Sequence, residues 1–378
     1  QKSRRSEHSS GESATSGSLC SDWPLYTLDI TLRPPEKSAD PFYHTFKRLI
    51  GLKNPRLKLM MLAAARLCGM RYYGIFIDPV IACNLKCRMC YFSDPANRPA
   101  PQGTMTAEQI SGLADKVMSK ALKMQIGCGA EPTLYRGLPQ LIAAGKKAGV
   151  PYVEITTNGQ LIDERSLEDA IEAGLDGITL SLHATTRETY EFLMEGASFD
   201  RLLQLIRLLG KTKREHPNFR LRVNYTVNNL NKYELEGFWQ LFDGVDIDVI
   251  QIRPIQKLGD TAYDDFVIED YDNFMSQIIT PIAEECRKRG IVALLPSREN
   301  VEKVNRKTSA ATAIIEEISY CYISPKSCYR PDYDPTTESI RGYQRRQGIA
   351  KRLHRAIFSR NLLEETTDIN ATKKLNYS

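Results

Sequence analysis

The sequence predicts an α/β fold, a partly open βα barrel with a polar lumen, and three observations carry the prediction. From Tyr72 to about Pro254, short strand-like runs alternate with longer helical patterns, the rhythm of repeated βα units around a parallel sheet. The strands alternate apolar and polar residues, whereas strands covered by helices on both faces are apolar throughout. The chemistry-bearing residues fall just after the strands, at the end where such barrels gather their sites.

The elements follow in order. The first twenty residues are polar and Ser/Gly-rich without an apolar core, so 1–22 reads as a disordered tail and not a secretory signal. The chain opens on Gln1, as a processed or incomplete chain would. An N-terminal helical extension is expected over 23–71, with two short helices in 41–69 broken near Asn54-Pro55. Strands are expected near 72–78, 124–128, 153–157, 177–182, 221–227 and 249–253. The first helix between them announces its start: Thr106 and Gln109 form a capping box, and Ile110, Leu113 and Val117 form its apolar face. The same amphipathic logic recurs near 139–149, 163–174, 186–210 and 232–243. Val153, Ile155 and Thr157 alternate with Glu154, Thr156 and Asn158. Leu221, Val223 and Tyr225 alternate with Arg222, Asn224 and Thr226. One face of the sheet therefore packs on helices and the other meets water or a polar ligand. Beyond the barrel, 270–290 reads as a helix and 291–295 as a short apolar run.

Composition narrows the function classes. With 378 residues, 42% hydrophobic and 26% charged, disorder throughout, collagen and coiled coil are excluded. No stretch approaches the roughly 18 apolar residues of a membrane span, and the expected location is cytoplasmic. The net charge of +5 is unevenly placed. Seven Lys/Arg and no acidic residue lie within 41–77, and the same holds within 341–360. The rest of the chain carries 37 basic against 46 acidic residues, so two basic flanks enclose an acidic middle. Nine cysteines, three of them within eight residues and none behind an export signal, favour reduced thiols or metal ligands over a disulfide framework.

Just after the first strand stands Cys83-Asn-Leu-Lys-Cys87-Arg-Met-Cys90. Three thiolates so close on one loop can hold three corners of a cubane and leave the fourth iron open to a cofactor or substrate. A structural zinc site wants a fourth ligand, and the nearest downstream candidate is Cys128. The second strand ends in Gly127-Cys128-Gly129-Ala130-Glu131, where small residues admit a ligand and a carboxylate can hold an ammonium group. The third ends in Thr157-Asn158-Gly159 and the fourth in Ser181-Leu182-His183.

With these residues, the stretch from Tyr72 to Leu258 resembles the radical S-adenosylmethionine (SAM) enzymes. The resemblance implies a partial (βα)6 TIM-like barrel over 72–258 with helical N- and C-terminal extensions, the latter over 259–378. It implies Cys83, Cys87 and Cys90 as catalytic iron ligands of a [4Fe-4S] cluster, and SAM as the second cofactor. Gly129-Ala130-Glu131 matches the family's Gly-Gly-Glu motif, which implies contacts to the amino group of SAM. Asn158, Ser181 and Asn224 fall where the family contacts the ribose and carboxylate, and Met89 where an aromatic residue usually packs near adenine. Ala130 in place of the second glycine costs little if its φ is negative. His183 stands where relatives often carry a short acidic residue. The implied reaction is reductive cleavage of SAM to a 5′-deoxyadenosyl radical that abstracts hydrogen from a substrate, with electrons from a reductant protein such as a flavodoxin or ferredoxin.

The resemblance is nearest to the family's peptide-modifying branch, which implies a peptide side chain as substrate; a sugar or nucleotide-linked small molecule is the alternative, and a non-catalytic metal-stabilised binding protein the reading from another class. Cys286, Cys321 and Cys328 are too few for a complete cysteine-rich extension but suffice for one auxiliary Fe–S cluster, set against the reading of inert buried thiols. In the basic C-terminal stretch, Ile349, Leu353 and Ile357 recur at helical spacing. That pattern reads as a docked amphipathic helix, with contact to an anionic membrane surface or a phosphorylated substrate as the alternatives. No aromatic-rich basic groove points to nucleic acid.

Overall fold

A computed structural model describes residues 54–90, 103–255, 263, 265, 268–296, 308–325, 330, 332–359 and 365–366. The tail expected over 1–22, the first of the two N-terminal helices and Cys328 lie outside the described residues.

The chain enters through α1 (Pro55–Leu67), whose N-cap Asn54 accepts from the backbone N–H groups of Arg56 and Leu57, with Pro55 at the first helical position. Strands and helices then alternate: β1 (Tyr73–Ile77), α2 (Ala107–Lys116), β2 (Ala121–Ile126), α3 (Leu138–Lys147), β3 (Tyr152–Thr157), α4 (Glu164–Glu172) and β4 (Gly177–Leu182). After α5 (Arg187–Leu193) and α6 (Phe199–Glu215) come β5 (Arg220–Val227), α7 (Phe238–Leu241) and β6 (Val249–Pro254). The capping box of α2 forms as expected, with Gln109 N–H donating to Thr106 Oγ1 at 3.2 Å and Thr106 N–H to Gln109 Oε1 at 2.9 Å.

All six expected strands are present and parallel, each pairing with the next. β2 starts three residues earlier than its apolar pattern suggested, because Ala121 already pairs with Tyr73 and both Ala121 and Leu122 are buried there. The apolar half of the alternation faces the helices: Ile75, Ile77, Met124, Val153, Ile155, Leu180, Leu182, Val223 and Ile252 are all buried in one core. The other half lines the lumen.

The sheet does not stop at residue 258. After α8 (Tyr271–Phe274), a π-helical turn (Met275–Ile279) and α9 (Thr280–Arg289), strand β7 (Val292–Leu294) pairs with β6. A short strand β8 (Thr308–Ser309) and α10 (Ala310–Ser319) lead into β9 (Tyr320–Ile323), which lies parallel to β1 on its free side. The strand order is β7-β6-β5-β4-β3-β2-β1-β9, an open eight-stranded parallel sheet. The boundary expected between barrel and C-terminal extension is therefore corrected: two segments of the extension are barrel strands. The physical reason lies in β1. Its outer backbone N–H and C=O groups would otherwise form an exposed edge, and β9 pairs them.

The chain closes with α11 (Ile340–Arg346) and α12 (Ile349–Phe358), and β10 (Glu365–Thr366) pairs antiparallel with β8. Ile349, Leu353 and Ala356 of α12 are buried and Ile357 is half-buried, so the amphipathic helix is docked, each large side chain contributing about 1.5–3 kcal/mol of burial. Arg56 of α1 donates to the carbonyl of Ser359 at 2.6 Å and Arg341 of α11 to that of Arg66 at 3.0 Å. The two basic flanks, far apart in sequence, thus pack on one another. Among the described residues no helix is long and apolar enough to cross a membrane.

Candidate active site

The cysteine loop follows β1 and is fastened by its backbone. Lys86 N–H donates to the carbonyl of Glu195 at 2.9 Å and Arg88 N–H to that of Leu193 at 3.0 Å, which lays the loop along the end of α5. Arg88 adds a 2.8 Å bond from Nε to the Phe192 carbonyl and stacks its guanidinium over the Phe192 ring at 4.1 Å. Cys83 is held locally by Leu85 N–H at 3.4 Å, and Cys90 N–H closes a turn onto the Cys87 carbonyl at 2.9 Å. Met89 turns inward, packed with Leu193 and Ile255, and its sulfur accepts from Asn228 Nδ2 at 3.2 Å.

The loop after β2 needs its first glycine. Gly127 has φ +86°, and a Cβ there would sit 2.4 Å from the Thr156 carbonyl oxygen. Ala130 is not among the residues with positive φ, so the substitution of the motif's second glycine is unstrained. Two carboxylates shape this loop. Asp78, buried at the end of β1, accepts from Cys128 N–H at 2.7 Å and Gly129 N–H at 3.0 Å. It also accepts from the Tyr322 hydroxyl of β9 at 2.9 Å. Burial raises its pKa to about 6 against these hydrogen bonds. Glu131, 2% exposed, accepts through Oε1 from Thr133 Oγ1 and Thr157 Oγ1, both at 2.6 Å, and through Oε2 from Asn158 N–H at 2.9 Å. Burial raises its pKa too. Its own N–H reaches back to the Ala82 carbonyl at 2.9 Å, beside the first cysteine.

Asn158 at the end of β3 closes the circle: its Nδ2 donates to Asn84 Oδ1 at 2.9 Å and lies 3.8 Å from Cys83 Sγ. Gly159 follows it with φ +75°, where a Cβ would strike Leu205 at 2.2 Å. Ser181 and Asn224 stand opposite one another on β4 and β5. Asn224 Oδ1 accepts from Arg222 Nε at 2.8 Å. His183, just past β4, is half-buried beside Arg253 with its Nδ1 atom buried, and desolvation first, then that positive charge, lower its pKa to about 3.

A sequence model of the radical SAM superfamily matches residues 77–228, the span from the end of β1 to just past β5 that holds every group above except Arg253, Ile255 and Tyr322. Residues 77–228 are a radical SAM domain. The probable GTP 3′,8-cyclase of Saccharolobus islandicus is 29% identical over 195 residues, covering 50% of this chain and 61% of that protein. The GTP 3′,8-cyclase of Chlorobaculum tepidum is 28% identical over 177 residues, 46% of this chain and 51% of that protein. The match thus spans less than two thirds of the length of these curated relatives. Among solved structures, Streptococcus suis SuiB bound to its precursor peptide SuiA superposes with a TM-score of 0.56 at 14% identity, covering 86% of this chain and 76% of SuiB. anSMEcpe with bound AdoMet gives 0.55 at 16% identity, covering 76% and 84%. These two establish the barrel architecture.

Radical SAM domains carry a [4Fe-4S] cluster and SAM, and the residues present fit both. Burial pushes the Cys83 thiol up to about 12 and the Cys87 thiol well above its usual value. Each is raised further by the charge of its neighbours, Cys90 acting on both. Three thiols that oppose each other's ionisation are suited to a cationic iron cluster, which reverses that balance. Among the described residues no group of three or more His, Cys, Asp or Glu is drawn around a single ion. Cys128, the local candidate for a fourth zinc ligand, packs with Phe76 and Tyr322. An auxiliary cluster is not shown, and Cys328 lies outside the described residues. Cys286 lies on α9 against β7 and Cys321 on β9, at opposite ends of the strand order, each buried among apolar side chains.

The structure also gives Glu131 a different emphasis. Its carboxylate is taken up in joining the β2 and β3 loops, with Oε1 carrying most of the bonds, so an ammonium group meets it at Oε2. Asp78, Asn84, Asn228 and Tyr322 were not singled out from the sequence. Asp78 alone carried a local signal, a carboxylate directly after an apolar strand and before a proline.

Proposed function

We propose that this chain is a radical SAM enzyme in which Cys83, Cys87 and Cys90 hold the cluster and SAM lies across the mouths of β1 to β5. The observation that carries the reading is the fastening of the three-cysteine loop to the strand ends through Glu131 N–H to Ala82 and Asn158 to Asn84. A cluster held there by Cys83, Cys87 and Cys90 would supply, when reduced, the electron for reductive cleavage of SAM and so the means of hydrogen abstraction from an unactivated carbon. The protein's part is placement and exclusion of water. The loop of Cys128 to Glu131 offers backbone and one carboxylate oxygen to the amino group, Asn158, Ser181 and Asn224 face the polar end of the cofactor, and Met89 with Leu193 and Ile255 forms the apolar side for the adenine. Electrons come from a small reductant protein of the flavodoxin or ferredoxin type.

For the substrate, the names of the curated relatives favour a nucleotide-linked small molecule over a peptide side chain. Anaerobically reconstituted protein is expected to bind about four irons per chain on the three-cysteine loop and to release 5′-deoxyadenosine on reduction with SAM. Cys87→Ala is expected to lower both iron content and product to background. A colourless protein that binds zinc, or Cys87→Ala with full 5′-deoxyadenosine formation, overturns the reading.

A further inference from the structure

The lumen below the SAM mouth carries charge that radical generation does not use. Among the described residues Lys123 of β2, Arg222 of β5 and Arg253 of β6 lie on the lumen-facing register of their strands, and one carboxylate, Glu154 of β3, lies there with them. Glu154 pairs with Lys123 at 2.5 Å. Asp78 and Glu131, higher up, are committed to N–H and hydroxyl donors. Beyond the Lys123–Glu154 pair, Arg222 and Arg253 give this face a positive field that favours an entering anion.

The β5–β6 wall is organised to meet one. Arg222 donates from Nε to Asn224 Oδ1 at 2.8 Å and from an Nη to Gln251 Oε1. A guanidinium has no acceptor, so these contacts fix which way each amide points. The oxygens of Asn224 and Gln251 turn to the arginine, and their NH2 ends turn away from it. Arg253 stands two residues beyond Gln251 toward the mouth, with Nε 3.4 Å from Thr226 Oγ1. The wall therefore presents donors: guanidinium, amide, amide, guanidinium. Beside it, among the described residues, the His183 Nδ1 atom is buried with no hydrogen-bond partner, and Thr156 Oγ1 and Gln125 Oε1 on the lumen-facing register of β3 and β2 are likewise unpartnered. Buried polar atoms without partners are uncommon and point to a bound group.

We propose that Arg253 and Arg222, with the NH2 group of Gln251, form an oxyanion subsite that seats a phosphate or carboxylate of the substrate, next to His183. The proposal rests on the radical SAM reading for what lies above it, and it names the substrate class: a molecule small enough to enter the barrel and anionic at the end that enters first. The carboxylate of SAM shares this chemistry, and the experiment separates the two sources.

The test is binding, measured anaerobically by calorimetry on the cluster-loaded full chain with inorganic pyrophosphate, with glutarate and with SAM as separate probes. The wild type is expected to bind pyrophosphate or glutarate, whichever matches its substrate's anion. Arg253→Gln is expected to weaken that probe about tenfold or more while SAM affinity changes less than about twofold, and Arg253→Lys to restore part of the loss. Lys351→Gln and Arg355→Gln on α12 are expected to leave probe affinity unchanged. The proposal falls if the wild type binds neither probe, if Arg253→Gln and Arg222→Gln bind like wild type, or if only the α12 variants lose affinity. It also falls if Arg253→Gln loses SAM instead, since the anion is then the cofactor's own. Failure of the radical SAM reading looks different: no 5′-deoxyadenosine forms while probe binding to the lumen persists.

Discussion

The two sides of the barrel mouth are built on opposite principles. At the strand ends of β1–β3 these polar groups are used up by the protein itself: Asp78 by the Cys128 and Gly129 amides and Tyr322, Glu131 by Thr133, Thr157 and Asn158, Asn158 by Asn84 and Gln160. At the strand ends of β4–β6, among the described residues, His183 Nδ1 lacks a partner and Arg253 makes one long bond to Thr226. A satisfied network holds one geometry, as a cofactor that must be placed within fractions of an ångström requires. An unsatisfied wall waits for its ligand. On the proposed reading, the difference assigns rigidity to the cofactor side and recognition to the substrate side.

Breaking the satisfied side should cost most. Glu131→Leu leaves the hydroxyls of Thr133 and Thr157 and the Asn158 amide without their acceptor, and a loss of about 3–5 kcal/mol is expected in denaturant unfolding. A loss under about 1 kcal/mol would show that the loops hold without it.

Asp78→Asn keeps the shape but offers one acceptor oxygen in place of two, and a loss of about 1–3 kcal/mol with weaker SAM binding is expected. The pH dependence separates charge from shape. The Asp78 pKa is raised from 3.8 to about 6 in the folded protein. In that window the unfolded chain has released a proton that the folded chain keeps, so stability contributed by this group is full below pH 3.8 and declines as pH rises to about 6. The Asn variant is expected to lose that part of the slope in thermal unfolding across pH 4–6. An unchanged slope would assign it to other carboxyls.

Tyr322→Phe deletes one bond to the same carboxylate from the far C-terminal strand, and a loss of about 1–2 kcal/mol is expected. Removing a bond that favours the ionised form moves the Asp78 titration further up, which the same pH series would register. The smallest effect belongs below the satisfied strand ends, on the lumen-facing register of β3. Thr156→Val replaces a buried hydroxyl that has no partner among the described residues, so unfolding is expected to change by less than about 0.5 kcal/mol or to favour the variant. A loss above about 1 kcal/mol would mean that the satisfied network extends down into the lumen.

Much of this was legible before any fold was known. Six strands lay where the alternation of apolar and polar residues put them, because period-two burial on one face is a local property of the chain. The α2 start was readable for the same reason, since Thr106 and Gln109 are neighbours in sequence and cap each other. The α12 helix showed its apolar stripe and docks through it. By contrast, β9 could not be read. The run Tyr320–Ile323 is too short to show a period, and what makes it a strand is the open edge of β1 some 240 residues earlier. Cys286 and Cys321 were candidates for one cluster only because sequence spacing says nothing of their places at opposite ends of the sheet.

The sequence by itself determined the barrel's rhythm, its wet interior and the loop of three cysteines, since each is written within a few residues and follows from side-chain chemistry and strand or helix period. Only the tertiary structure decided that the C-terminal extension completes the sheet and that Tyr322 supports Asp78. It alone decided that Glu131 joins three loops, and that Arg222, Gln251 and Arg253 share a wall with His183. Those are contacts between strands distant in the chain. Their energies depend on which neighbours burial brings together, and no local pattern records that.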